Sequence, residues 1–314
     1  MAQVMTEPPA IEIVGLSKVY GDTRALDGVN LTVPQGSVFG FLGPNGAGKT
    51  TTLRILTGLA NSTTGTAHIL GHDVTSADND VRADIGFLPD VPGFYPWMTA
   101  PEFLRFAGGL FGLTGDVLEA RVEALLGLAG LTGVKQKVGG YSRGMKQRLG
   151  VAQALINSPK ILMLDEPTSA LDPIGRKEVL DMLSALAGRT TVFFSTHILS
   201  DVERVCDTVA ILHKGVVVTQ APITELKERY GAQKLVLEVT AQTEALAEIF
   251  AAASWCAGVE HTNGRALILT VSDIEAACVA VPAEVAARGL GLIRLEAGEV
   301  SLEEVFVDLV GGEQ

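Results

Sequence analysis

Residues 43–51 read Gly-Pro-Asn-Gly-Ala-Gly-Lys-Thr-Thr and match the pattern G-x-x-x-x-G-K-[ST], which ends here on Lys49 and Thr50. An apolar run, 37–42, precedes this loop, and a helical pattern over 49–58 follows it. Glycines let a backbone wrap around a polyphosphate with successive N–H groups directed at it. The order of strand, glycine loop and helix therefore predicts a nucleotide-binding site and argues against a chance glycine-rich turn.

The loop also predicts how a nucleoside triphosphate would be held. The Lys49 ammonium would reach the β- and γ-phosphates, and the Thr50 hydroxyl would bind Mg²⁺. The ATP-binding residues predicted in this segment are Gly43, Asn45, Gly46, Gly48, Lys49, Thr50 and Thr51.

A second segment, Ile161-Leu-Met-Leu-Asp-Glu166, places two carboxylates directly after four apolar residues. Such a run is typical of a central buried strand, and ligands of open α/β sheets bind at the carboxyl ends of the strands. Asp165 is predicted to hold Mg²⁺, and Glu166 to act as general base toward the attacking water. Taken alone, the segment could equally end a strand in a solvated acidic turn.

A third segment, Tyr141-Ser-Arg-Gly-Met-Lys-Gln-Arg148, opens a helical pattern. Ser142 is a suitable N-cap, and Gly144 keeps the first turn open, which is a shape that binds anions. The residues by themselves fit an ordinary capped amphipathic helix at least as well.

The order of elements predicts an α/β fold. Apolar runs at 161–164 and 191–194 alternate with helical patterns, which favours a mainly parallel sheet. Two alternating segments at the N-terminus, 11–17 and 28–33, predict half-buried antiparallel strands. Residues 101–156 are mostly helical in pattern.

The C-terminal stretch, 232–314, predicts a small α+β domain. Its patterns comprise strands at 235–239, 266–271 and 290–295, and helices at 244–253, 274–287 with a break at Pro282, and 302–309.

Charge also divides the chain of 314 residues, whose formal net charge is −12. Residues 1–231 hold 20 basic and 23 acidic side chains, whereas 232–314 hold 4 and 13. This acidic balance argues against a nucleic-acid partner, and the three scattered cysteines argue against a disulfide framework. No secretory signal and no apolar run long enough to span a membrane are expected.

Together, the three motifs resemble the nucleotide-binding subunit of an ATP-binding cassette (ABC) transporter over roughly 11–225. Other positions match the family in order. Tyr20 corresponds to the aromatic residue that stacks on adenine, and His197 to the histidine that contacts the γ-phosphate. Ser142 and Gly144 correspond to two residues of the family's signature sequence, and 169–172 to the loop that follows the acidic strand.

The resemblance implies a P-loop NTPase cassette at 11–228, with a mainly parallel sheet core, an N-terminal antiparallel subdomain and a helical subdomain at about 95–158. It implies an ATPase that uses ATP and Mg²⁺, with Glu166 and His197 catalytic. Two cassettes, expected to be identical copies, would face each other head to tail, so that Ser142 acts on the partner's ATP. Separate transmembrane permease subunits would hold the pair at the cytoplasmic face of the membrane.

The C-terminal domain at 232–314 ends in Val300-Ser-Leu-Glu-Glu-Val-Phe306. It resembles the small domain appended to many exporter-type cassettes, which favours export. A solvated accessory domain that aids dimerisation and a ligand-sensing domain both remain open.

The chain departs from the family pattern in two places. Arg143 and Met145 replace the usual residues of the signature sequence. Asp90 stands where a glutamine normally meets Mg²⁺ and water; a carboxylate can still meet the metal but cannot donate a hydrogen bond.

Two further groups have less specific interpretations. The aromatic cluster 94–98 fits either a local hydrophobic plug or the contact with a membrane partner. His68 and His72 lack further metal ligands in sequence and are expected in a loop or edge strand.

Two other functions fit the sequence less well than a transporter ATPase. A soluble ABC ATPase of translation or DNA repair usually has tandem cassettes or a long coiled coil, neither of which this sequence contains. A non-catalytic ATP-binding regulator fits poorly with the intact Lys49, Asp165, Glu166 and His197.

Overall fold

The computed structural model describes residues 8–74, 81–230, 233–241, 243–262, 265–298 and 301–311. The chain forms two compact units, Met1–Ile223 and Thr224–Gln314. Residues 1–7, on which the expectation about a secretory signal partly rests, lie outside the described residues. Val300, the first residue of the C-terminal motif, also lies outside them.

A six-stranded sheet forms the centre of the first unit. Five neighbouring strands run parallel, and the outermost strand pairs antiparallel with its neighbour in a hairpin. In spatial order the strands are β10 (Val216–Pro222), β9 (Thr208–His213), β3 (Val38–Leu42), β8 (Thr191–Thr196), β7 (Ile161–Asp165) and β6 (Ile85–Leu88).

The three strands at the middle of this sheet, β3, β8 and β7, are buried along their whole lengths, as their apolar runs predict. The helices that accompany the sheet are α1 (Lys49–Leu56), α5 (Pro173–Ser184) and α6 (Leu199–Val205). Register places Leu42 opposite Thr196, and Asp165 opposite Ser195. The carboxyl ends of β3, β7 and β8 therefore meet at one edge.

The predicted N-terminal antiparallel strands belong to a second, four-stranded sheet and are longer than their alternation indicates. In spatial order its strands are β2 (Thr23–Val33), β1 (Ile11–Tyr20), β4 (Thr64–Ile69) and β5 (His72–Asp73). His72 lies on the edge strand β5, as expected, whereas His68 lies on β4, which pairs with both β1 and β5. Among the described residues, no cluster of His, Cys, Asp and Glu could hold a metal ion.

Helices predominate between the strands β6 and β7, as predicted. They are α2 (Ala100–Leu110), α3 (Gly115–Leu128) and α4 (Arg143–Ala154), and 3₁₀ turns lie at Val81–Asp84 and Val138–Gly140. Thr99 and Glu102 form a capping box that fixes the start of α2, and hydrogen bonds from Thr99 lower the pKa of the Glu102 carboxyl.

The second unit has a β-α-β-β-α-β arrangement with an antiparallel sheet in the order β12-β13-β11-β14. Helix α7 (Ile223–Tyr230) precedes it, and α10 (Leu302–Gly311) follows. The remaining elements are β11 (Gln233–Val239), α8 (Thr243–Ala251), β12 (Cys256–Thr262), β13 (Ala266–Val271), α9 (Ile274–Ala287) and β14 (Leu292–Gly298). Strand β12 has no counterpart in the sequence-based prediction.

The predicted helix break at Pro282 is wrong, because α9 continues through that residue. Proline removes one backbone hydrogen bond inside a helix. Val281 and Val285 are both buried in the core of this unit, and the burial of this face outweighs that local cost.

Within the part of the chain that the structure describes, no helix is both long and apolar enough to cross a lipid bilayer. The three cysteines are free, and burial raises the pKa of the Cys206 thiol well above its usual value.

The contact between β6 and α4 gives a test of the packing. A Cβ atom added at Gly86 would lie 2.0 Å from the Ala154 carbonyl oxygen, whereas one added at Gly109 on α2 would meet nothing within 4 Å. We expect Gly86→Ala to lower the free energy of unfolding by about 1–3 kcal/mol through overpacking. Gly109→Ala should leave it unchanged or raise it by up to about 1 kcal/mol. Urea unfolding of the two variants measures this difference, and equal stability would contradict the packing described.

Candidate functional site

The loop between β3 and α1 requires glycine at two of its turns. Gly48 has a left-handed backbone (φ 113°), and a Cβ atom there would lie 2.6 Å from the Ala25 carbonyl oxygen. A Cβ atom on Gly43 would approach the Leu212 carbonyl oxygen to 2.3 Å. Neighbouring strands therefore press against the loop so closely that only a bare backbone fits. The same absence of side chains leaves the N–H groups free to approach an anion.

Lys49, the first residue of α1, is buried within this loop. Its Nζ donates hydrogen bonds to the carbonyl oxygens of Gly43 (2.6 Å) and Pro44 (3.1 Å). It also lies 3.1 Å from Glu166 Oε1. The ammonium thus links the glycine loop to the acidic end of β7.

Asp165 ends β7 and is almost fully buried. Its Oδ1 accepts hydrogen bonds from Ser195 Oγ (2.6 Å) and from Thr50 Oγ1 (3.2 Å). The carboxylate is therefore held in place from the neighbouring strand β8 and from the first turn of α1. Two of the three predicted magnesium ligands, Thr50 and Asp165, are in direct contact.

Glu166 follows in a left-handed conformation (φ 48°), which is uncommon for a residue other than glycine and accompanies many functional sites. Its backbone N–H donates to the Ser195 carbonyl oxygen (3.1 Å). This turn directs the carboxylate between two partners: Oε1 faces Lys49, and Oε2 lies 2.9 Å from His197 Nδ1. The His197 side chain is 43% exposed, so the pair opens to solvent on one side.

The Lys49, Thr50 and Glu166 side chains border one cleft with a volume of about 250 Å³. It lies above the carboxyl ends of β3 and β7. Asp90, which follows β6, reaches the same cleft. The residues that line it are Ala25, Asn45, Gly46, Gly48, Lys49, Thr50, Thr51, Asp90 and Glu166.

Six sequence-predicted residues are not among those that line the cleft. Three of them, Gly43, Asp165 and His197, make hydrogen bonds to residues that do line it. The other three are Tyr20, Ser142 and Gly144. Tyr20 lies at the end of β1, 47% exposed, with Lys18 Nζ 4.7 Å from the centre of its ring. Ser142 caps α4 and accepts a hydrogen bond from the Met145 N–H (3.2 Å). Gly144 lies beside α5, where an added Cβ atom would be 3.4 Å from the Gly175 Cα.

Two residues that support the site, Ser195 and Asp201, were not predicted from the sequence. Ser195 binds Asp165 and the Glu166 backbone, and its one sequence signal is that it is the first polar residue after the apolar run 191–194. Asp201, on α6, accepts hydrogen bonds from Thr168 and Arg176. These bonds join positions 25 and 33 residues apart, which no local pattern reveals.

A second, apolar cavity of about 370 Å³ lies against α2. Tyr95 packs against Trp97 and Phe106, with ring centroids 5.1 and 5.3 Å apart, and Phe94 packs against Phe103 at 5.2 Å. The lining residues, which we call the aromatic groove, are Gly93, Phe94, Tyr95, Phe103, Phe106, Ala107, Leu110 and Gln153. Leu110 at its rim is 73% exposed.

The chemistry of the first cleft follows from its composition. A buried ammonium beside unshielded backbone N–H groups favours a phosphate anion. Hydroxyl and carboxylate oxygens from Thr50, Asp165 and Asp90 are the donors that Mg²⁺ prefers, so the residues fit this metal. The Glu166 carboxylate, which Lys49 and His197 contact on either side, has the chemistry to accept a proton from water.

Comparison with known proteins agrees with this geometry. The family model described as "ABC transporter" matches residues 26–169. The chain is 40% identical over 96% of its length to the uncharacterized ABC transporter ATP-binding protein YxlF of Bacillus subtilis, and covers 99% of it. It is 36% identical over 96% of its length to the bacitracin transport ATP-binding protein BcrA of Bacillus licheniformis, and covers 97% of it.

A solved structure shares the architecture. It is the dimeric structure of a post-hydrolysis state of the ATP-binding cassette MJ0796, bound to ADP and Pi. The TM-score is 0.61 at 28% identity, over 68% of this chain and 98% of that one. Since relatives align along nearly the whole sequence and the cassette aligns with the fold, this chain belongs to the ABC transporter family, as an ATP-binding subunit that hydrolyses ATP.

Proposed function

We propose that two copies of this chain bind two MgATP between them and use hydrolysis to drive export through separate transmembrane subunits. One observation carries the catalytic part of the proposal. The Glu166 carboxylate is fixed between Lys49 and His197 at the end of a buried strand, beside the glycine loop. A general base needs this kind of fixed position next to the phosphate that is attacked.

Each residue of the cleft has a distinct part in the reaction. The backbone N–H groups of 46–50 and the Lys49 ammonium bind and orient the β- and γ-phosphates. Glu166 accepts the proton of the attacking water, and His197 holds this carboxylate and contacts the γ-phosphate. Thr50, Asp165 and Asp90 would hold Mg²⁺, which neutralises charge on the phosphate oxygens when bound.

Tyr20 is the proposed stacking platform for adenine. Its ring is about half exposed at the end of β1, and an aromatic face of this kind stacks well on a flat base. Lys18 over the ring limits the face that remains available.

The second copy supplies what the cleft of one copy lacks. Ser142 and Gly144 are not among the residues that line the cleft, although both belong to the segment that resembles the family's signature. Head-to-tail pairing would place the start of α4 of one copy against the γ-phosphate held by the other. The dimeric structure of the similar cassette supports this arrangement.

The catalytic cassette is proposed to comprise 11–228, with a helical subdomain at about 95–158, and the accessory domain 232–314. The acidic balance of the accessory domain favours a solvated surface and no nucleic-acid partner. The bacitracin transport relative is similar along its whole length, which supports transport as the work of the full chain.

The aromatic groove is the proposed contact with the transmembrane subunit. Aromatic residues are enriched in protein interfaces, and apolar grooves are a common docking site for amphipathic helices. This contact would hold the chain at the cytoplasmic face of the membrane.

We expect Glu166→Gln to lower ATP turnover at least about 100-fold while ATP binding persists, because the amide keeps the shape but cannot accept the proton. Steady-state phosphate release and binding of a fluorescent ATP analogue measure the two effects. Glu123→Gln, an exposed change on α3, is the matched control and should turn over like the native chain. Native turnover by Glu166→Gln would refute the general-base role.

We expect Leu110→Asp to abolish association of the chain with membranes that contain its permease, because a charge would be buried in the aromatic groove. Val117→Asp is the control, since Val117 is 61% exposed on α3 and does not line the groove. Co-sedimentation with membrane vesicles distinguishes them. Equal recovery of both variants with the vesicles would place the contact elsewhere.

A further inference from the structure

Asp201 is a carboxylate buried without exposure to solvent, four residues after His197. Its Oδ2 accepts a hydrogen bond from Thr168 Oγ1, and its Oδ1 pairs with the Arg176 guanidinium. A buried carboxylate is costly unless it is paired and hydrogen-bonded, and here both oxygens have partners. The three residues form a unit that we call the Asp201 bridge.

Each partner of the bridge comes from a different part of the site. Thr168 lies two residues after Glu166, in the loop that connects β7 to α5, and is itself buried. Arg176 is on the first turns of α5 and also donates to Ser200 Oγ (2.6 Å). Asp201 is in the first turn of α6, which follows His197.

The loop that carries Glu166 depends on such anchoring. Glu166 and Ala170 both have left-handed backbones, a conformation that persists only where surrounding contacts hold it. Ser195 anchors the Glu166 end of this loop, because its carbonyl oxygen and its Oγ both accept hydrogen bonds from the Glu166 N–H. Thr168 supplies the next anchor, through its side-chain bond to Asp201.

We infer that Asp201, through Thr168, is a positioning residue that sets the Glu166 carboxylate against His197 for ATP hydrolysis. The inference rests on the proposed general-base role of Glu166. The bridge ties the loop after Glu166 to the turn after His197, so the 2.9 Å contact between Glu166 Oε2 and His197 Nδ1 is fixed from both sides. A small displacement of a base lowers the rate of proton transfer strongly.

The bridge also connects the site to α5 and to the loop 169–172 that precedes this helix. The loop 169–172 ends at Asp172, which caps α5 by accepting from the Gly175 N–H (3.1 Å). Arg176 joins that same helix to Asp201. A shift of α5 on pairing of two copies would therefore move the loop that carries Glu166.

The test removes the hydroxyl of Thr168 without changing its size. Thr168→Val should lower kcat for ATP hydrolysis by the full chain about 10-fold, with KM for ATP within about twofold of native. Thr168→Ser keeps the donor and should restore most of kcat. This split and rescue separate positioning from a loss of folded protein, which an Asp201→Ala variant could not do.

A matched control lies directly before β8. Thr190 also donates a buried side-chain hydrogen bond, to the Pro159 carbonyl oxygen (2.6 Å), at the end of the strand away from Ser195. Thr190→Val should lower Tm about as much as Thr168→Val, yet leave kcat within about twofold. A native kcat for Thr168→Val, or an equal loss in both variants, would overturn the inference. Glu166→Gln assayed in parallel separates the two claims, because its native turnover would overturn the proposed function itself.

Discussion

The structure of the site depends on the burial of one charge, the Lys49 ammonium. Removing an ammonium from water costs several kcal/mol unless close partners offset it. The Gly43 and Pro44 carbonyl oxygens and the Glu166 carboxylate provide that compensation at 2.6–3.1 Å. These contacts require a loop with glycine at its closest approaches to the neighbouring strands, and an acidic residue directly after β7. The glycines, the strand order and the left-handed Glu166 backbone together provide that arrangement.

The same edge of the sheet orders the other polar groups. Parallel strands bring their carboxyl ends together, so a hydroxyl on β8, Ser195, can fix both Asp165 and the backbone of the next residue. Buried polar groups that are fully paired stay in one geometry. Polar groups that are fixed in this way are the condition for electrostatic catalysis of phosphoryl transfer.

The sequence predicts those features of the fold and of the site that a short segment of the chain determines by itself. The glycine loop, the acidic strand end, and the strands and helices with clear apolar periods are found at or near their predicted positions. Contacts between residues far apart in the sequence cannot be predicted from local patterns, and the Asp201 bridge is an example. The helix through Pro282 was mispredicted because buried valines outweigh the local effect of proline. Strand β12 was missed because its residues are all either half-buried or exposed and show no regular apolar alternation. The roles of all the predicted site residues depend on a bound nucleotide, and those of Ser142 and Gly144 also on a second copy, so these roles remain predictions.

A crystal structure of the Glu166→Gln chain with MgATP tests the central claim most directly. The account predicts phosphate oxygens within hydrogen-bonding distance of the Lys49 ammonium and the backbone N–H groups of 46–50. It also predicts that the γ-phosphate faces Ser142 of a second copy. A nucleotide bound away from the glycine loop, or one whose γ-phosphate meets no second copy, would contradict the account.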